Sequence, residues 1–272
     1  MGNLPCEQRT GIEVTTPFVK TLIEVYEKEL SKYRDLKISK IGLGRKFSYL
    51  VTDRGQLGLA FVPPEEPLPT SLFEVKRPFE LLGLLWKGAI PSSLALAAAN
   101  AIFQAFLDEN PDFVDFTRDF TSLLRQQCRP SDGIEFVGYV EGIVGKLLRE
   151  DYEIILFEDN PVHRREAQGA GVKATFAGSY LPVLKGGRCL VTTGSAWLDP
   201  RVYISLQEKN YIFAATVGPT SSFHPGVLKK VGINLVGGSY IPKQNRDKVL
   251  KLVEAGYGFK GVRRWVEKWI YI

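Results

Sequence analysis

Three clusters of small polar residues in this chain have the makings of a ligand cradle. They are Thr192-Thr193-Gly194-Ser195, Gly218-Pro219-Thr220-Ser221-Ser222 and Gly237-Gly238-Ser239. Loops of this composition offer backbone N–H groups and hydroxyls to an anion, and the same Ser and Thr residues also serve as helix caps. Each cluster ends a short apolar run rich in β-branched and aromatic residues, which reads as a buried parallel strand. In parallel sheets ligands bind beyond the carboxyl ends of the strands, so the three clusters are expected along one rim.

Other residues could add chemistry to that rim. Gly138, Gly142 and Gly145 open the first βα unit in a pattern looser than the dinucleotide fingerprint. Glu158 stands 20 residues after Gly138, at the end of the next strand, where a ribose-binding carboxylate would sit. This suits a nucleoside-type ligand better than a dinucleotide; otherwise the glycines serve turn and packing and Glu158 is a solvated strand end. The two histidines, His163 and His224, combine with Asp159 and Asp199 into a conceivable mixed N/O metal site. The stretch DNPVHRRE contains a proline and reads as a surface loop, whereas His224 follows the 218–222 cluster and faces the rim. Asn100 is the strongly polar residue of the apolar run LALAAANAIFQ. Buried, it must be hydrogen-bonded or it costs ~1–3 kcal/mol, so it ties down its own domain or reaches across to a ligand. The chain has no nucleophile elbow, no HExxH and no P-loop lysine.

The elements that would position these residues fall into two groups. Val19, Leu22, Ile23, Tyr26 and Leu30 recur at helical spacing behind Pro17. Strands are expected over 36–43, 46–52 and 58–62, with a turn at DRGQ and a proline-rich loop over 63–70. Helices are expected over 78–86 and 91–107, the second almost uncharged and therefore buried. Residues 111–131 read as a linker with a helical turn or two. Beyond it the pattern becomes βαβ: strands over 134–137, 152–157 and 174–176, then the three runs above. Helices are expected over 200–209, 225–231, 243–254 and a basic, aromatic 260–269, with Trp265 and Trp269 on one helical face. Such alternation predicts an α/β chain with an open, mostly parallel sheet after a small α+β domain.

The 272 residues, 44% hydrophobic and 24% charged, suffice for a sizeable core. A net charge of +5, from 35 basic against 30 acidic residues, reads as small and spread along the chain. That makes nucleic acid an unfavoured partner and an anionic small ligand an acceptable one. No apolar run is long enough to span a membrane, since LALAAANAIFQAFL stops after 14 residues. The N-terminal stretch has no apolar signal core, which leads to an expectation of a cytoplasmic protein. Cys6, Cys128 and Cys189 are odd in number, widely spaced and without a CxxC, so each is expected as a reduced thiol.

The segments TTGSAWLDP and VGPTSSFHPGVLKKVGINLVGGSYI, preceded by EFVGYVEGIVGKLL and LFEDNP, resemble the heavy-metal chelation family, a family without a settled reaction. IGLGRKFSYLVTDRGQLGLAF and LALAAANAIFQAF resemble that family's N-terminal module, so the likeness runs from about Phe18 to about Trp265. The resemblance implies an enolase-N-terminal-like α+β domain over 1–110 and a Rossmann-like domain over 111–272, with the site in the cleft between them. By position that site includes Asn100, Gly138, Glu158, Thr193, Gly194, Ser195, Gly218, Pro219, Thr220 and Ser221. Asp199 and His224 are then candidate ligands of a divalent or heavy metal ion. The chain departs from the family where Asp199-Pro200-Arg201 replaces an Asn-Gly-Thr. The expected function is binding of a metal chelate or other small ligand. The alternative is a transferase or lyase using a nucleoside-containing cofactor such as S-adenosylmethionine, with Glu158 on the ribose. The C-terminal KGVRRWVEKWIYI is expected to cover a sheet edge or to form a homodimer contact.

Overall fold

The computed structural model describes residues 16–62, 70–176 and 187–272; Cys6 and most of the proline-rich stretch lie outside them. Helix α1 (Pro17–Glu29) begins with Pro17 in its first turn, where a missing N–H costs nothing, and buries Phe18, Val19, Leu22, Val25 and Tyr26. The expected meander follows as β1 (Ile38–Leu43), β2 (Phe47–Thr52) and β3 (Leu57–Phe61), paired antiparallel in chain order. A short α2 (Pro78–Leu81) leads to α3 (Ala89–Glu109).

Helix α3 is apolar on all sides, and such a helix must be covered all round. It is longer than its uncharged run suggested, and by length and composition it could cross a membrane, yet 89% of its apolar window is buried inside the molecule. Its alanines let it lie directly on β3: a Cβ on Gly58 would fall 1.9 Å from the Ala97 carbonyl oxygen.

After α4 (Phe120–Gln127) the chain alternates. In order come β4 (Ile134–Val137), α5 (Glu141–Leu148), β5 (Ile154–Phe157), α6 (Pro161–Gly169), β6 (Lys173–Thr175) and β7 (Cys189–Thr193). Then follow α7 (Pro200–Glu208), β8 (Phe213–Val217), α8 (Pro225–Lys230), β9 (Leu235–Tyr240), α9 (Arg246–Glu254), α10 (Phe259–Val262) and β10 (Glu267–Tyr271). The seven strands form one sheet in the order β10-β9-β8-β7-β4-β5-β6, parallel except for β10. The winding reverses at the β4–β7 pair, the kind of switch point beside which ligands bind in open α/β sheets.

Both faces of this sheet are covered, as parallel sheets require. Phe136, Leu156, Val191 and Ala215 pack with α4 and α5. Val137, Phe157, Leu190 and Val236 join a cluster that continues through Phe18 of α1 and Phe103 of α3. One core therefore runs from the small sheet's helices onto the large sheet.

Four expectations are corrected. Residues 161–169 are a helix and not a loop, because Asn160 caps it by accepting from Val162 N and Pro161 occupies its first turn. The helix expected over 260–269 ends early: α10 and a 3-10 turn (Arg263–Trp265) give way to strand β10. In the strand, the buried Trp269 lies over Gly238, where a Cβ would fall 2.0 Å from the indole, and Asp115 pairs with Ile270 from the outer side. Gly237-Gly238-Ser239 sits inside β9, so those glycines make room for Phe120 and Trp269 and line no loop. Cys128 and Cys189 are joined by a disulfide, with Cα atoms 6.2 Å apart.

Candidate functional site

At the β4–β7 switch point the chain is closely packed. Gly138, with φ of 89°, ends β4 so near β7 that a Cβ would meet Thr193 Oγ1 at 2.1 Å. Thr193 Oγ1 donates to Val137 O (3.3 Å) and shares a hydrogen bond with Ser195 Oγ (3.0 Å). Gly194 abuts the next loop: a Cβ there would fall 2.5 Å from Ser221 N. Gly218, with φ of 131°, closes that loop against Gly194. A side chain at Gly194 would run into the 220–221 backbone and one at Gly138 into the Thr193 side chain, while at Gly218 the positive φ disfavours any larger residue. Gly138, Thr193, Ser195 and Gly218 remain half-buried at the rim.

Glu158 flanks the same rim. Its Oε2 accepts from Tyr139 N and its Oε1 from Asn160 N, both at 2.8 Å, so the carboxylate ties the β4–α5 loop to the start of α6. His163 Nδ1 lies 3.7 Å from Glu158 Oε2, and its ring tilts against Tyr139 at 5.9 Å. The sequence pattern paired His163 with Asp159; helix α6 turns it toward Glu158 instead. Gly142 and Gly145 meet nothing within 4 Å of an added Cβ, so they are not close-approach glycines here.

The remaining predicted residues go elsewhere. Asp199 Oδ1 caps α7 by accepting from Arg201 N, and its carboxylate also pairs with the Arg201 guanidinium. The carboxylate that departs from the family pattern is thus neutralised by the arginine that departs with it. Asn100 Nδ2 donates to Leu59 O (2.6 Å), Pro219 O (3.1 Å) and Thr220 O (3.2 Å). Thr220 Oγ1 accepts from Phe61 N at 2.8 Å, while Ser221 Oγ donates to Gly218 O and Ser222 Oγ accepts from Ser239 N. These buried groups weld the 218–222 loop to β3 and α3. The space left beside Asn100, Gln104, Ser222 and Ser239 is about 20 Å³, room for one water and no ligand. A groove of about 510 Å³ lies along the outer edge of β10, lined by 111–118 and 270–272 and by none of the rim residues.

His224 lies among α1, α3 and the 111–113 turn. Its ring is packed among Phe103, Phe106 and Phe113, its N donates to Tyr26 Oη, and its Nδ1 accepts from Gly226 N at 3.1 Å. With Nδ1 so occupied, the neutral ring carries its proton on Nε2 and has no free lone pair for a metal. Among the described residues, no three His, Cys, Asp or Glu side chains converge in a metal-binding group.

Burial pushes the His224 pKa from 6.5 down to about 4. The unfolded chain therefore takes up a proton as pH falls below 6.5 while the folded ring stays neutral until about 4. Stability contributed by the neutral ring is lost across that window, by up to about 3 kcal/mol. The variant His224→Asn keeps a capping acceptor and cannot titrate. Urea unfolding at both ends of the window should show a flatter pH profile for the variant, and parallel profiles would remove His224 as the cause.

Two features at the rim had no sequence signal. Trp86 is a non-glycine residue at φ of 68°, and its Nε1 donates to Trp197 O at 3.0 Å, beside the turn that carries Ser195. Phe18 stacks between Trp86 and Trp197, at 5.1 and 5.0 Å. A backbone strained in this way marks a wall held in place by its surroundings.

Fold and rim together define an α/β protein with small-residue loops meeting at the topological switch point of a mostly parallel sheet. The chain belongs to the DUF364 family, whose model, described as "Putative heavy-metal chelation", matches residues 122–272. A second model of the same description, DUF4213, matches residues 26–103. Among solved structures, the chain is similar to a DUF364-family protein of unknown function from Pyrococcus horikoshii. The two are 20% identical, with a TM-score of 0.72 over 93% of this chain and 99% of that one. Another similar structure, from Desulfitobacterium hafniense DCB-2, is also a DUF364-family protein of unknown function. It is 17% identical, with a TM-score of 0.70 and the same coverage. At these identities the likeness establishes a shared fold. No curated protein matches the chain.

Proposed function

We propose that this protein binds a metal chelate at the crevice between the ends of β4 and β7, with the large sheet acting as a Rossmann-like domain and the small sheet with α3 as an enolase-N-terminal-like module. The observation that carries the reading is the convergence of Gly138, Thr193, Gly194, Ser195 and Gly218 where the winding reverses. Glu158 and His163 stand beside them as one oxygen and one nitrogen donor. Two donors leave most of a coordination sphere unfilled, so a metal would arrive carrying its own ligands. Hydroxyls and N–H groups of the 193–195 turn would hold the polar part of the chelator. The His224 geometry argues against a ligand role for that residue.

The test is native mass spectrometry with elemental analysis on freshly purified protein. The expected result is a stoichiometric metal together with an organic mass, both lost in Glu158→Ala and diminished in His163→Ala. A protein that takes up neither bare metal ions nor their polycarboxylate complexes would end this reading. A second reading, a transferase or lyase with a nucleoside-containing cofactor, is favoured by the position of Glu158 at the end of β5. It predicts an organic mass without metal, sensitive to Glu158→Gln as well.

A further inference from the structure

The chain's charge is not spread as its composition suggests. Residues 243–268 contain eight Lys and Arg against three Asp and Glu, so this segment alone accounts for the net +5 and the rest of the chain is neutral. The fold gathers most of these charges on one surface; Arg246 is buried and paired with Asp108. Lys248 Nζ and the Arg264 guanidinium lie 4.0 and 5.0 Å from the centre of the Trp265 ring. Arg263 follows Lys260 by one turn, and Lys251 follows Lys248 on α9. The β1–β2 turn adds Arg45 and Lys46, whose side chains pack against Gly256 and Gly258.

The nearby carboxylates are largely committed. Glu254 pairs with Lys40 and accepts from Tyr49 Oη, and Glu141 pairs with Lys260, leaving Asp247 and Glu267 as the other acids of the segment. Arg45, Lys46, Lys251 and Arg263 are exposed, and among the described residues none makes a salt bridge. A surface of uncompensated cations repels itself and is relieved by a polyanion.

We infer that the face formed by α9, α10 and the β1–β2 turn binds the phosphate backbone of single-stranded nucleic acid. A lipid surface is the poorer fit, because interfacial binding needs several apolar side chains to insert. Of the large apolar side chains exposed among the described residues, Tyr257 alone lies on this face. One exposed aromatic among cations matches the stacking-plus-phosphate chemistry of single-strand binders. This inference is independent of the chelate crevice and stands or falls without it.

The test uses the full chain and short fluorescein-labelled single-stranded oligonucleotides, DNA in one arm and RNA in the other, read by fluorescence anisotropy. Affinity should fall with rising salt, with a log–log slope of about −0.7 per phosphate neutralised. The triple variant Arg45→Glu, Lys46→Glu, Arg263→Glu should weaken binding by about tenfold or more. A control with the same change of net charge on other surfaces, Lys20→Glu, Arg149→Glu, Lys173→Glu, should stay within about threefold of the parent. Equal losses in the two triples, no binding by the parent at low salt, or binding to anionic vesicles in preference to oligonucleotide each overturns the inference. Circular dichroism of both variants establishes that they are folded.

Discussion

Reduction of the Cys128–Cys189 disulfide should lower stability by about 4 kcal/mol, the loop-closure entropy of a cross-link between residues 61 apart in sequence. For a chain of this size that corresponds to a fall in Tm of about 10 °C. The bond ties the residue that ends α4 to the first residue of β7, a strand paired on both sides within the sheet. Both cysteines are fully buried, so the reductant acts on the native state only through opening. Thermal unfolding with and without dithiothreitol measures the shift, and Cys128→Ala with Cys189→Ala should reproduce it. Thiol titration of denatured, never-reduced protein should find one free thiol among the three cysteines of the chain. Three titrating thiols, or a midpoint indifferent to reductant, would refute the cross-link.

That disulfide was illegible in the sequence for a physical reason. Pairing depends on Cα atoms coming within bonding range, and Cys128 and Cys189 are separated by two βα units whose packing alone brings them to 6.2 Å. Their spacing resembles no metal or redox motif, so the expectation of reduced thiols, which accompanied that of a cytoplasmic protein, had nothing to correct it. The parallel strands were legible because burial on both faces makes them continuous apolar runs. Ile154–Phe157 is the case in point, four apolar residues of which Ile154, Leu156 and Phe157 are buried. The final strand was not, because KGVRRWVEKWIYI spaces its two tryptophans as a helix would. Only the gap above Gly238 and the partner Asp115 select the extended form.

The rim residues were legible in part. Gly138, Thr193, Gly194 and Gly218 do lie together, since strand ends and small residues place backbone at a switch point without tertiary information. The 219–222 hydroxyls looked equally suited to a ligand. What sequence could not supply was their partners: Phe61 N of β3 donates to Thr220 Oγ1, Gly218 O accepts from Ser221 Oγ, and Ser239 N of β9 donates to Ser222 Oγ. His224 likewise reads as a rim residue until Tyr26 and three phenylalanines enclose it. The small polar residues thus divide between the rim and a joint, and the division is set by which loop the first helices reach.

Asn100→Asp, a change of one atom, should cost about 3–5 kcal/mol at neutral pH, because it leaves an unpaired charge in the joint. Asn100 is 2% exposed, and its amide nitrogen serves three carbonyl oxygens, from β3 and the 219–220 turn. An ionised carboxylate would set an oxygen against those carbonyls with no donor in return. Burial raises the pKa of the introduced carboxyl in the folded state. The penalty is therefore absent below the unfolded value of about 3.9 and grows as pH rises toward the folded value. Asn100→Leu leaves the same carbonyls unpaired without a charge, so its cost of about 1–3 kcal/mol should not vary with pH. Chemical unfolding of both variants between pH about 4 and 8 separates the two mechanisms. A pH-independent loss in Asn100→Asp would mean that the amide acts by shape alone. Because the same turn begins at Gly218, which closes on Gly194, either variant that remains folded should also loosen the rim and weaken whatever binds there.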